Sequence, residues 1–227
     1  MAKDLEVALR ITAKDSTGAA LGKTRAGIES ISRQLQAARN AFLAFQGALG
    51  LQSGLVGLVR LADEVQSVNA RLRLATGSLR EFAQAQQFAY RVAAATGAGY
   101  ASVATLYGRL AQTARDYGLT QQQIAQTTEA TALALRVSGA SAAEAASVVS
   151  QFSQALGSGV LRGDEFNSIM ENGGRLAQAL ADGLGLPVGE LRALAEQGLL
   201  TTDVITRALT PQLEKLRAEA ERMPRTV

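Results

Sequence analysis

One short segment combines charged residues and glycine in a pattern that could carry chemistry, Arg162-Gly163-Asp164-Glu165-Phe166. Arg-Gly-Asp is a tripeptide that integrins bind, and Gly-Asp-Glu-Phe overlaps the signature of nucleotide cyclases. The cyclase signature needs a second glycine, where this chain has Arg162, and a β-hairpin, whereas both flanks here have helical patterns. We therefore predict a structural role, in which Gly163 ends a loop, Asp164 caps the next helix and Glu165 lies near its positive N terminus.

Five carboxylates in one stretch raise the alternative of acid/base catalysis by a pair of acids, as in glycosidases. They are Asp164, Glu165, Glu171, Asp182 and Glu190. Acidic residues are ordinary at helix starts, and no sequence pattern brings two of them into one cleft. A carboxylate-based hydrolase is therefore the least favoured of the interpretations that we carry forward.

Composition removes most other catalytic and metal sites. The 227 residues contain no cysteine and no histidine, which excludes disulfides, thiolate nucleophiles, zinc fingers and Ser-His-Asp triads. The glycine pairs at 157/159 and 173/174 lack the Lys-Ser/Thr that completes a phosphate-binding loop. We predict no enzymatic activity, no metal and no cofactor.

The charge distribution gives little support for nucleic-acid binding. The formal net charge is +3, the basic residues are scattered singly, and aromatic residues make up 4% of the chain with no tryptophan. Stacking platforms for single-stranded nucleic acid are therefore scarce, and no specific nucleic-acid partner is predicted. The N-terminal MAKDLEVALR has acidic residues where a signal peptide would be apolar, which predicts synthesis in a cytoplasm without export by that route.

The remaining composition predicts an all-α protein built as a bundle of short helices. The only prolines are Pro187, Pro211 and Pro224, so the first 186 residues contain no residue that would break a helix by lacking an amide donor. Ser78-x-x-Glu81, Thr120-x-x-Gln123 and Ser141-x-x-Glu144 fit the capping box that starts a helix.

Glycines stand at or near the expected helix ends, as C-cap glycines do. These starts and stops predict helices over 20–46, 51–75, 79–96, 101–117, 121–138, 142–156, 164–172, 175–184, 189–197, 202–209 and 212–222. Short connections between them predict antiparallel neighbours in a compact bundle.

The N-terminal part has a different pattern. Alternation of apolar and polar residues over 5–12 predicts a short strand, which with its turn occupies 1–18. Two heptad seams follow and predict a longer helical stalk over 19–77 that forms homo-oligomers. The seams differ in phase, and clustered glycines predict a hinge near 47–54. Their members are Ile28, Ile31, Leu35, Ala38, Phe42, Phe45 and Leu49, then Leu51, Leu55, Leu58, Ala62, Val65, Asn69 and Leu72.

An uncharged segment overlaps this hinge and carries a second functional hypothesis. The nineteen residues from Ala41 to Val59 include no charge, which approaches the length of a membrane span. Gln46, Gln52 and Ser53 are polar and the apolar residues follow a seam, so a buried or self-associating helix is favoured. A membrane-active or pore-forming protein that uses 41–59 stays as the alternative.

The stretch 150–209 closely resembles the N-terminal conserved domain of bacteriophage and prophage tail tape measure proteins, with weaker similarity back to about 65. The chain departs from the family at Gly173-Gly174, where a proline often precedes the arginine; glycine loosens that helix start. The characteristic residues are Gln151, Gln154, Gly159, Leu161, Arg162, Gly163, Asp164, Glu165, Phe166, Asn167, Ser168, Gly185 and Gly198. The resemblance assigns them no catalytic or ligand-binding role.

This resemblance implies a structural ruler that sets tail length, scaffolds assembly of the tail tube and is expelled ahead of the DNA at infection. The implied partners are the tail tube protein, tail assembly chaperones and tail-tip proteins. The implied locations are the host cytoplasm during assembly and then the lumen of the virion tail. A ruler must be extended, whereas the short helices predicted over 78–210 are expected to pack on one another. We therefore expect 78–210 to be a compact tape measure domain at one end of the ruler. We expect 211–227 to be a C-terminal tail or to begin a further helix of a longer native chain.

Overall fold

The structure, a computed structural model, describes residues 53–223, with side chains from residue 63 onward except at positions 115 and 164. The described part is helical throughout, apart from turns and one isolated β-bridge. The predicted all-α fold is therefore confirmed. The predicted strand over 5–12, the first heptad seam and most of the hinge near 47–54 lie outside the described residues.

Ten α-helices follow one another over the described residues. They are α1 (Ser53–Ala75), α2 (Leu79–Thr96), α3 (Tyr100–Tyr117), α4 (Gln121–Val137), α5 (Ala142–Ser158), α6 (Gly163–Asn172), α7 (Gly174–Leu184), α8 (Leu191–Glu196), α9 (Thr202–Leu209) and α10 (Leu213–Glu221). Short 3₁₀ turns, Val188–Glu190 and Thr210–Gln212, precede α8 and α10. From α2 onward, every predicted helix is present.

Local capping chemistry explains the helix boundaries. The capping boxes at Thr120 and Ser141 are complete, with reciprocal bonds between each cap and the residue three positions on. At Ser78 only half of the box forms, because the Glu81 carboxylate accepts from the amide of Gly77 at 2.8 Å instead of that of Ser78. Left-handed glycines end α2, α3, α5 and α7.

Helix α4 lies at the centre of the bundle and contacts α2, α3, α5, α7, α9 and α10. Its buried residues are mostly alanine and threonine, whose small side chains let neighbouring helices approach closely. Two of the buried threonine hydroxyls are satisfied within the helix, since Thr128 donates to the carbonyl of Ile124 and Thr131 to that of Thr127, both at 2.8 Å.

Residues Leu61–Val227 form one compact unit, so the last turns of α1 belong to it. Val68 and Leu72 are buried, and the Tyr100 hydroxyl donates to the side-chain oxygen of Asn69 at 2.6 Å. The second heptad seam thus has a partner within its own chain over these turns. The predicted division between a stalk and a domain at residue 78 stays a prediction.

Candidate functional site

Two segments of the 150–209 stretch that carry residues of the family motif meet in space, although some forty residues separate them in sequence. Val160, after α5, forms an isolated antiparallel bridge with Thr201, before α9. The amide of Leu161 donates to the carbonyl of Leu200 at 2.8 Å, and that of Thr202 donates to the carbonyl of Gly159 at 3.0 Å. We call residues 159–162 and 198–202 the loop bridge.

The loop bridge is anchored in the core. Leu161, Leu200 and Thr202 are all fully buried. The Thr202 hydroxyl donates at 2.9 Å to the carbonyl of Leu156 in the last turn of α5, which satisfies a carbonyl that the helix end leaves free. The bridge therefore fixes the end of α5 against the start of α9.

Two glycines of the family motif are required by this geometry. Gly159 has φ +90°, and a Cβ there would overlap the hydroxyl oxygen of Tyr117 and approach its Cζ at 3.1 Å. Gly198 has φ +68°, and its Cβ would lie 3.5 Å from a guanidinium nitrogen of Arg162. Side chains rarely adopt such φ values, so glycine is needed at both positions, with Tyr117 and Arg162 packed over them.

The start of α6 differs from the sequence prediction. We predicted Asp164 as the helix cap, but α6 begins at Gly163 and the capping position is Arg162, which makes no side-chain cap hydrogen bond. Asp164 is the second residue of the helix. Gly163 has the left-handed conformation, at φ +60°, which glycine adopts readily, so the chain turns at this residue and Asp164 follows the turn. Glu165 lies in the first turn, as predicted.

Within α6, the motif residues build packing and one arginine contact. Phe166 is buried. The guanidinium of Arg192, from α8, lies 5.8 Å from the centre of the Phe166 ring and donates to the side-chain oxygen of Asn167 at 3.2 Å. Ser168 is half-buried. The arginine therefore holds α8 against α6 through a cation–π contact and a hydrogen bond.

The remaining motif residues are distributed around this region. Gln151 is half-buried and Gln154 exposed on α5, and Gly185 is the left-handed C-cap of α7. At the start of α7, the amide of Arg175 donates to the Ser138 hydroxyl at 2.9 Å, so a bond from another element replaces a side-chain cap. Gly183 lets α7 contact α9 directly, because a Cβ there would overlap the carbonyl of Ala208.

Three ion pairs attach α10 to its neighbours, two to α7 and one to α4. Arg175 pairs with Glu219 at 2.6 Å, Arg217 with Glu129 at 2.8 Å and Lys215 with Asp182 at 2.7 Å. The hydrogen bonds from Arg175 lower the pKa of Glu219, and those from Lys215 and Gln178 lower the pKa of Asp182. The hydrogen bonds to Glu129 raise the pKa of Arg217.

These contacts give one of the candidate carboxylates structural partners. Asp182 is engaged by Lys215 and Gln178, and Glu171 and Glu190 are exposed. Over residues 53–223, no cluster of three or more acidic side chains is placed to hold a metal ion. No helix in this part is long and apolar enough to cross a bilayer.

A cleft with a volume of about 530 Å³ lies among α2, α3, α4 and α5. Alanine is the most frequent residue in its lining, and Arg136 is its charged residue. The Arg136 guanidinium donates to the carbonyl of Ala95, so the ends of α4 and α2 are connected across the cleft. The cleft brings no acid and base together.

Several residues that build this region carry no sequence signal for it. Tyr117 and Arg192 lie outside the motif and contact Gly159 and Phe166 only because the fold brings α3 and α8 to them. Thr202 begins the helix predicted over 202–209, but that position does not reveal its bond to Leu156. Long-range contacts of this kind could be found only from the packed structure.

The fold and the motif together define a helical structural domain, in which the motif forms turns, packing and a bridge between loops. The sequence model of one family, described as tape measure protein, matches residues 57–227. The match covers well over half of the chain, and the chain belongs to this family of structural proteins of phage tails. No curated protein and no solved structure matched it.

Proposed function

We propose that the chain acts as the ruler of a phage tail, setting tail length and scaffolding the tail tube. The observation that carries this proposal is the family match over 57–227. The proposal includes a location in the tail lumen after assembly in the host cytoplasm, and expulsion ahead of the DNA at infection. Its partners are the tail tube protein, tail assembly chaperones and tail-tip proteins.

The compact unit and a ruler need different shapes, so we assign them to different parts of the chain. Residues 78–210 are the folded tape measure domain at one end. The heptad-patterned residues 19–77 form the oligomeric stalk up to the turns of α1 that pack in the compact unit, and as a helix residues 19–60 would span about 63 Å at about 1.5 Å per residue. The dense packing around α4 supports the first assignment, since a helix buried by six neighbours does not extend without losing its core.

Comparison of virions before and after infection tests the location and the expulsion. Antibody against the purified chain should detect it in intact tails, and the signal should fall in particles that have released their DNA. Detection of equal amounts in both would contradict expulsion. Absence from intact tails would contradict the ruler itself.

A membrane-active role is the second candidate, favoured by the uncharged segment 41–59. Flotation of the full chain with liposomes tests it, and a Leu55→Arg variant provides the control because it places a charge within the segment. Flotation of the wild type but not of the variant would support membrane contact. If neither the wild type nor the variant floats with the liposomes, membrane contact is contradicted and the ruler is the one function proposed.

A further inference from the structure

A groove between α1 and α3 has an unusual concentration of positive charge. Arg71 of α1 and Arg109 of α3 both line it, and its volume is about 210 Å³. Gln112 and Thr105 add polar side chains to its rim, while its floor is apolar. Gly108 lies opposite Leu72 there, and a Cβ at this position would be in ordinary contact with the Leu72 side chain, at 3.7 Å.

The two arginines have no acidic partner in the part of the chain that the structure describes. Neither takes part in an ion pair between described residues. Acidic residues are also absent from the positions three and four residues before and after each arginine, where helical neighbours would lie. By contrast, Arg175, Arg207 and Arg217 each pair with a carboxylate.

An apolar side chain extends the same surface. Leu74, three residues after Arg71 on the same side of α1, is 81% exposed, the highest value among the large apolar residues of the described part. Arginine beside an exposed leucine resembles the composition of protein interfaces, where guanidinium groups bind carboxylates in bidentate geometry. An amphipathic helix that carries acidic and apolar residues on one face would match both features.

We infer that the groove between α1 and α3 binds an acidic helical segment of a partner protein. The inference rests on the proposed function and deepens it, because it specifies the chemistry by which a tail protein would recognise this domain. The charge of residues 63–223 favours a protein partner over nucleic acid, since acidic residues outnumber basic ones in this part of the chain. The groove also has room for one or two carboxylate side chains.

Fluorescence anisotropy with the full 227-residue chain tests the inference. The probe is a labelled 18-residue helical peptide with glutamates at i and i+4 and leucines on the adjacent stripe; matched peptides carry glutamine or lysine instead. We expect the glutamate peptide to bind most tightly, with an affinity that falls as salt rises. Arg71→Gln/Arg109→Gln should weaken binding by about tenfold or more, because both bidentate contacts are lost.

A control variant removes the same charge elsewhere. Arg80→Gln/Arg222→Gln alters two exposed arginines outside the groove and should change the affinity by less than about twofold. Arg71→Glu/Arg109→Glu should reverse the preference toward the lysine peptide. Circular dichroism establishes that each variant remains folded.

Three results would overturn the inference: equal binding of the glutamate and glutamine peptides, an equal loss in the control variant, or tighter groove-dependent binding of an 18-base-pair DNA duplex than of the glutamate peptide. Each leaves the ruler function standing, because that function is measured separately, as tail length. The converse result is peptide binding that depends on the two groove arginines, while tail length stays unchanged when stalk residues are deleted. That pair of results would support the binding site in the groove and contradict the ruler function.

Discussion

Replacement of Gly159 by alanine should destabilise the compact unit more than the same change at another left-handed glycine. Gly159 has φ +90°, and its added Cβ would overlap the hydroxyl of Tyr117. Gly118 provides the matched control, because it has φ +65° at a helix end and nothing lies within 4 Å of its added Cβ. The two variants share the backbone strain and differ in the collision.

The magnitudes follow from these two terms. A left-handed conformation costs a non-glycine residue about 1–2 kcal/mol, which is the whole expected effect for Gly118→Ala. At Gly159 the Tyr117 side chain must also move off its rotamer to clear the new Cβ, and because this side chain is 38% exposed the movement adds only about 0.5–1.5 kcal/mol. Gly159→Ala should therefore cost about 1.5–3.5 kcal/mol in total.

Urea unfolding followed by circular dichroism measures both costs. Tyr117→Ala in the Gly159→Ala background should recover the collision term, since it removes the atoms that the new Cβ meets, and should leave the strain term. Equal costs for Gly159→Ala and Gly118→Ala, or no recovery in the double variant, would refute the packing of Tyr117 over the loop bridge.

Three further predictions concern burial, helix contact and pH. Leu161→Ala should lower the free energy of unfolding by about 2–5 kcal/mol in urea titrations, because it leaves a cavity, whereas Leu199→Ala, at a side chain 50% exposed, should cost less than about 1 kcal/mol. Gly183→Ala should destabilise the fold strongly because its Cβ would overlap a backbone carbonyl of α9. Gly174→Ala, which has open space around it, should be close to neutral. Similar melting temperatures for the two variants would contradict the contact between α7 and α9 at Gly183. The pKa of Glu219 is lower in the fold than its ordinary value, so its contribution to stability is present above that ordinary value and is lost as the pH falls. Melting curves from pH 7 to pH 3 should show a shallower decline for Glu219→Gln than for the wild type, and parallel declines would refute the role of its arginine partner.

The helices themselves could be predicted from the sequence because their signals are local. Thr120 and Ser141 each carry the residue three positions on that completes a capping box, and both boxes form. Gly97, Gly118 and Gly185 adopt the left-handed conformation expected just after a helix. Such signals depend on a few neighbouring residues, so no knowledge of packing is needed to interpret them.

The site could be predicted only in part, because its contacts join distant segments. The motif residues are adjacent in sequence, but the bridge from Val160 to Thr201 depends on how α6, α7 and α8 fold between them. The assignment of Asp164 as a cap was wrong for a local reason: Gly163 has access to a conformation that the capping pattern does not consider. The groove at Arg71 and Arg109 likewise could not be predicted from the sequence, because it forms only where α1 packs on α3.

Tail length in assembled phage tests the central claim most directly. Electron microscopy would compare tails made with the wild-type chain, with residues 28–55 deleted and with residues 28–55 duplicated. If these 28 residues lie on the ruler as helix, deletion should shorten the tail by about 42 Å and duplication should lengthen it equally, at about 1.5 Å per residue. Tails of unchanged length in both variants would contradict the account and leave the N-terminal region as a part of the protein that does not measure length.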